Sequence, residues 1–179
     1  LVGSEMCIRD RPMPITIKTK KDIENMRIAG QKAAAVLNML DQYVVPGITT
    51  EELDKIAFDY ITRDLKCIPA NVGYNGYPKT LCTSLNSVIC HGIPSETQTL
   101  KDGDILNIDV TVIENKWHGD TSKMYAVGKI QNFAKRLIDV TQECMYQGIK
   151  KVRPGEKLGT IGSAIQKHAE NNHYSVVRD

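Results

Sequence analysis

Two aspartates, Asp109 and Asp120, lie in a stretch that reads Asn107-Ile-Asp-Val-Thr-Val-Ile-Glu-Asn-Lys-Trp-His-Gly-Asp120 and has the pattern of a β-hairpin. Strand alternation sends Leu106, Ile108, Val110 and Val112 to one face, and Asn107, Asp109 and Thr111 to the other. A two-residue turn at Glu114-Asn115 sets Asp109 directly opposite Asp120, with Cβ atoms roughly 4.5–5.5 Å apart. Two ionised carboxylates so placed repel each other and need compensation. A bound cation relieves the repulsion, and so does a proton shared between two acid–base carboxyls. A third reading is a slipped register: a turn at Asn115-Lys116 pairs Asp109 with Ser122 instead. Spacing alone favours the cation, and the other two readings stay open.

A second set of chemical groups lies just upstream. His91 sits in Cys90-His-Gly-Ile-Pro94 and is a candidate catalytic base or hydrogen-bond donor, although a lone loop histidine is more often structural. Tyr74 and Tyr77 flank Asn75-Gly76 in a Gly-, Tyr- and Asn-rich loop. With Cys82 they either line an apolar pocket or anchor the loop to a sheet. His118 shares the strand face of Asp120 and either neighbours a metal or fills the hairpin. His168, on a helix, and His173, in a polar turn, read as solvated.

The elements that must position these groups come in a repeated arrangement. Thr19-Lys-Lys-Asp22 forms a capping box that opens a helix carrying Ile23, Met26, Ala33, Val36, Leu37 and Leu40 on one face. Gly30 falls on that face, costing roughly 1 kcal/mol against Ala while permitting close packing. After Pro46-Gly47, Thr49-Thr-Glu-Glu52 caps a second helix with Leu53, Ile56, Ala57, Tyr60 and Ile61 inward. A helix from about Asn132 then buries Phe133, Leu137, Ile138, Cys144, Met145 and Ile149. It ends at Pro154-Gly155, before a helix carrying Ile161, Ala164, Ile165 and Ala169. An offset of 108 residues superimposes the two Pro-Gly pairs and lands Leu53 on Ile161, Ala57 on Ile165 and Ile61 on Ala169. Duplication of one unit explains this, and so do two unrelated helical hairpins of common type. Between them, Leu81 to Ile89 and Asp104 to Val127 read as strands. Ser175-Val-Val-Arg178 reads as the start of another, so the chain is expected to be cut off.

Composition bounds the class. The 179 residues, 41% hydrophobic and 25% charged, suit one domain with its own core. Twenty-three basic and 21 acidic residues give a net charge of +2, too near neutral for nucleic-acid binding by gross charge. No apolar run approaches the roughly 20 residues of a membrane-spanning helix. Five cysteines with no CxxC pair argue against a disulfide framework or a structural zinc site and suit a reducing cytosol. Residues 1–12 lack the apolar stretch of a signal peptide. They read as non-native translated sequence ahead of Met13 or as a disordered extension, leaving 13–179 as part of a single catalytic domain.

Four segments together, in order, resemble type I methionine aminopeptidases of the bacterial kind: Gly73-Tyr-Asn-Gly-Tyr-Pro-Lys79, Ser84-Leu-Asn-Ser-Val-Ile-Cys-His-Gly-Ile-Pro94, Leu100-Lys-Asp-Gly-Asp-Ile-Leu-Asn-Ile-Asp-Val-Thr-Val-Ile113 and Trp117-His-Gly-Asp-Thr-Ser-Lys-Met124. The likeness runs from about Ile15 to Asp179. It implies an α/β (α+β) fold of the pita-bread, creatinase/aminopeptidase-like kind, with pseudo-two-fold helix pairs on a curved antiparallel sheet, here incomplete. It further implies removal of the initiator methionine from nascent chains when the next residue is small. Asp109 and Asp120 would ligate a pair of divalent ions (Co, Mn, Fe or Zn), Asp120 bridging both, with a metal-bridged hydroxide as nucleophile. His91 would bind near the scissile amide, and Tyr74, Tyr77 and Cys82 would line the methionine pocket. Asn86 and Val88 would hold a monovalent cation through backbone oxygens. The implied setting is cytoplasmic: a monomer when full length, acting on nascent polypeptide N-termini, at the ribosome, with no nucleic-acid or membrane partner.

The resemblance also implies what to look for beyond these residues. The family's remaining ligands are one His and two Glu, all C-terminal to the Ser-Val-Val-Arg strand, so the 179-residue chain is expected to be inactive alone. Asn71 stands where many relatives place a pocket Cys. Two alternatives stay in view. A proline-directed aminopeptidase or creatinase uses the same aspartate pair, though the Tyr-Asn-Gly-Tyr-Pro loop argues against it. A non-catalytic pita-bread binding protein has no need of an acidic pair.

Overall fold

Thr19 and Thr49 each start a helix by the same reciprocal device. Ahead of α1 (Lys20–Leu40), the Asp22 N–H donates to the Thr19 hydroxyl at 3.2 Å and the Thr19 N–H donates to the Asp22 carboxylate at 2.8 Å. Thr49 and Glu52 repeat the exchange ahead of α2 (Thr50–Asp59). The computed structural model describes residues 16–177. Residues 1–12, set apart on sequence grounds, lie outside them, as does Arg178 of the expected last strand; Ser175 to Val177 form no strand.

Four antiparallel strands make the sheet: β1 (Ile68–Pro69), β2 (Leu81–Leu85), β3 (Ile105–Glu114) and β4 (Trp117–Ala126). β3 is central. β4 runs along one side of it, and β2 and the short β1 follow one another along the other, pairing with residues 106–110 and 112–113. Burial alternates along β3 as the sequence predicts, with Leu106, Ile108, Val110 and Val112 fully buried. That face meets Ala33, Val36, Leu37 and Leu40 of α1 and Leu53, Ala57 and Ile61 from α2 and its extension. The Tyr125 hydroxyl donates to the Leu37 carbonyl at 2.8 Å, and Lys32 pairs with Glu114 at 2.7 Å, fastening α1 to the sheet at two points.

The register departs from the first of the sequence readings. Asn115 and Lys116 both adopt left-handed φ, 48° and 71°, and form the two-residue turn of a type I′ hairpin. Asp109 therefore pairs with Ser122 and Asp120 with Thr111. The reading with Asp109 directly opposite Asp120 is corrected: Asn tolerates left-handed φ better than Glu, so the turn moves one residue along.

The second helix pair, α3 (Asn132–Ile149) and α4 (Gly159–Asn171), repeats the helix–Pro-Gly–helix arrangement, with Gly47 and Gly155 at φ 100° and 85°. Its inward contacts are fewer than expected. Val140, Cys144 and Ala169 are buried, and Ile161 and Ile165 pack against Gly148. Phe133, Leu137, Met145 and Ile149 stay 40–76% exposed, Met145 and Ile149 bordering an open groove with Ile161 and Ile165 of α4. In α1 likewise, Ile23 and Met26 are about half exposed, lying in the N-terminal part of the helix ahead of its first buried residue, Ala29. A Cβ at Gly30 would meet nothing, so that position is not where a side chain is excluded. The close approach belongs to Gly119 of β4, which lies against the Ala29 carbonyl.

Candidate active site

The face of β3 opposite the core floors a cavity of about 610 Å³, lined among others by Asp109, Thr111 and Asp120. Tyr74 and Tyr77 reach it from the loop before β2, Cys82 from β2 and His91 from the loop after it. All six residues proposed from sequence thus border one space. Asn71, noted as a departure, lines it too.

The aspartates stand diagonally, one register step apart on the same face, and still interact directly. Burial pushes the Asp109 carboxyl above its ordinary range, and the negative charge of Asp120 pushes it further, with His91 acting the other way. Cys82 pairs directly with Asp109 across β2 and β3. Its buried thiol is held above the usual thiol range, chiefly by desolvation, which keeps it protonated and unreactive as a nucleophile. Oxygen donors of this type suit a hard or borderline divalent cation, and its charge would remove the repulsion between them. Asp109 and Asp120 supply two donors. Among the described residues no group of three or more His, Cys, Asp or Glu side chains is arranged around one ion.

Other groups hold these in place. The Asp54 carboxylate, buried on α2, accepts N–H bonds from Thr80 and Leu81 at 2.9 and 2.8 Å and so fixes the start of β2. Gly92 lies against the Thr83 carbonyl, where a Cβ would overlap it, and His91 takes φ 56° to bring the loop that close. Asn86, also at left-handed φ, bonds Asp104 and the Ile105 N–H, tying β2 to β3 beyond the cavity. Neither Asn86 nor Val88 lines it. His118 shares the face of Asp120 but is outside the cavity, His168 bonds Glu143 at 2.9 Å, and His173 is exposed at a turn. Thr111, Asn75, Gly76, Pro78 and Ile93 complete the lining. Thr111 was legible as a face-mate of Asp109, whereas Asp54 gave no sequence signal.

Residues 24–179 match metallopeptidase family M24. The chain belongs to that family. It is 58% identical over 167 residues to the methionine aminopeptidase of Salmonella typhimurium, a match that covers 93% of this chain and 63% of that protein. The crystal structure of methionine aminopeptidase from Rickettsia prowazekii superposes with a TM-score of 0.90 at 52% identity, over 92% of this chain and 66% of that one. The X-Pro aminopeptidase of Thermotoga maritima shares the fold alone, with a TM-score of 0.74 at 16% identity over 88% of this chain and 42% of that one. The M24 fold, the pita-bread arrangement of helices on an antiparallel sheet, is the one described above. Membership in a metallopeptidase family implies dependence on a divalent metal. The chain spans just under two thirds of the length of the curated M24 relatives it matches. No helix among the described residues is long and apolar enough to cross a membrane.

Proposed function

We propose that the protein containing this chain is a methionine aminopeptidase, releasing the N-terminal methionine of nascent polypeptides when the second residue is small. The observation that carries this reading is 58% identity to a methionine aminopeptidase across 93% of the chain. The cavity chemistry supports it. Tyr74, Tyr77 and Cys82 offer aromatic and sulfur surface to a thioether side chain, and the aspartate pair and His91 border the same space. The pocket side chains take the methionine, and His91 donates a hydrogen bond to the scissile amide as charge develops there. Asp109 and Asp120 would hold divalent cations through their oxygens, in company with further ligands. Such ions supply Lewis-acid polarisation of the carbonyl and activation of the attacking water. Cobalt, manganese, iron and zinc all accept this donor type, and two ions per site is the number the resemblance implies. We assign the enzyme to the cytoplasm as a monomer that meets its substrates near the ribosome. A monovalent cation beside Asn86 and Val88 belongs to the same reading.

The test compares the 179-residue chain with the product of the gene's complete reading frame, assayed for methionine release from Met-Ala-Ser with Mn²⁺ or Co²⁺. Release by the complete product supports the assignment; its absence overturns it. Activity of the short chain alone would overturn the further expectation that more ligands are needed. Release from Ala-Pro-Pro in preference to Met-Ala-Ser would favour the proline-directed alternative, although the Thermotoga maritima X-Pro aminopeptidase is only 16% identical to this chain. Failure of the complete product to bind metal stoichiometrically would favour a non-catalytic role.

A further inference from the structure

Tyr77 contributes more than its ring. Its hydroxyl lies 2.9 Å from the Leu81 carbonyl and 3.1 Å from the Gly92 carbonyl. One belongs to the first residue of β2, the other to the residue after His91. A phenol has one proton to donate, so the two carbonyls share it. Burial holds the hydroxyl well above the ordinary tyrosine range, so it stays a donor.

The Gly92 segment has two further ties, both to β2. The Thr83 N–H donates to the Gly92 carbonyl at 2.7 Å, and the Gly92 N–H donates to the Ser84 hydroxyl at 3.3 Å. Gly92 fits because it has no Cβ to strike the Thr83 carbonyl. His91, the preceding residue, has φ 56°, in the left-handed region, a conformation a non-glycine residue keeps only where its surroundings impose it. The contacts that impose it converge on Gly92, and among the described residues Tyr77 supplies the one side-chain hydroxyl from outside β2 that bonds there.

We propose that Tyr77 is a positioning residue for His91: its hydroxyl clamps the His91-Gly92 loop to the start of β2, so one side chain both lines the cavity and sets where the imidazole stands. This rests on the reading of His91 as the group that meets the scissile amide. The ring and the hydroxyl are then separable, the ring serving binding and the hydroxyl serving placement.

Tyr77→Phe and Tyr77→Leu test this on two levels. In the ¹⁵N-labelled 179-residue chain, Tyr77→Phe should speed hydrogen exchange of the Thr83 amide roughly fivefold, the effect of losing one neutral hydrogen bond. It should also shift the His91 ring resonances and leave the Val36 amide of α1 unchanged. Unchanged exchange at Thr83, or equal acceleration at Thr83 and Val36, would overturn the proposal, the second because it makes the hydroxyl a general stability element. In the complete reading-frame product, Tyr77→Phe should lower kcat about tenfold with KM for Met-Ala-Ser within twofold, whereas Tyr77→Leu should also raise KM. A Tyr77→Phe variant that changes KM alone would overturn it. Should the parent product lack activity, the functional assignment fails while the exchange measurement still decides the clamp.

Discussion

Asp109 and Asp120 stand diagonally on the open face of β3 and β4, close enough for the charge of Asp120 to act on the Asp109 carboxyl. Diagonal placement leaves room between the carboxylates that a face-to-face pair would lack. It also makes the bare site a source of instability. Burial and the Asp120 charge both oppose ionisation of Asp109. Asp109→Asn in EDTA is therefore expected to unfold at higher denaturant than the parent, by about 1 kcal/mol. In the complete reading-frame product, adding Mn²⁺ should stabilise the parent more than the variant, since a ligand stabilises the folded state only in proportion to its affinity for it. Urea titrations with and without metal check both. A variant less stable than the parent in EDTA would overturn the repulsion argument.

Asp54 predicts a contrast between two substitutions. Both buried N–H donors, from Thr80 and Leu81, reach the same carboxylate oxygen, which asparagine can also present. Asp54→Ala orphans both and should cost about 2–4 kcal/mol, whereas Asp54→Asn should stay within about 1 kcal/mol of the parent. The pH dependence carries its own sign. Burial, the largest cause, raises the folded-state carboxyl above 3.8. The folded state thus holds this proton more tightly than the unfolded one. The stabilisation is complete below the unfolded value and is lost as pH rises through the raised one. The stability difference, parent minus Asp54→Asn, should fall over that window in urea titrations at pH 3 to 7. A difference that rises with pH would refute it.

Two glycines on facing elements should respond oppositely to alanine. Gly30 faces open space within α1, so Gly30→Ala should stabilise by about 1 kcal/mol through helix propensity. Gly119 lies against the Ala29–Gly30 peptide of α1, rigid backbone that cannot give way, so Gly119→Ala should cost about 1–3 kcal/mol. Thermal unfolding of the two variants in parallel checks the pair. Equal effects would mean that α1 and β4 are not in the close contact described.

What the sequence could reveal follows the range of the forces involved. The capping boxes at Thr19 and Thr49 are exchanges over three residues, and both form as read. The buried face of β3 follows from alternation alone and is also as read. The apolar stripe of α3 was legible as a stripe, but periodicity cannot say what lies against it, and Phe133 and Met145 prove exposed. β1 is two residues long and paired only through β3, too short for any pattern to show. The cavity residues were found by type and resemblance. Their supports were not, because Asp54 and the Tyr77 hydroxyl act on backbone N–H and carbonyl groups that every residue carries. The register failed for a related reason: the turn carries Asn-Lys rather than the Asn-Gly that announces a type I′ hairpin.

One substitution at Lys116 separates the two registers by its sign. Lys116 sits at φ 71°, in the second central position of the turn, where a side chain is strained and glycine is not. Lys116→Gly should therefore stabilise the protein by about 1 kcal/mol, and the pairing of Asp109 with Ser122 should persist. Had the turn been Glu114-Asn115, residue 116 would be the first of the returning strand. Glycine there would loosen the ladder and cost about 0.5–1 kcal/mol. The urea midpoint of the variant reads the sign directly, and cross-strand nuclear Overhauser contacts between Asp109 and Ser122 report the register independently. A destabilised variant with contacts between Asp109 and Asp120 in place of those to Ser122 would return the two carboxylates to face-to-face pairing, and with it the repulsion at its strongest.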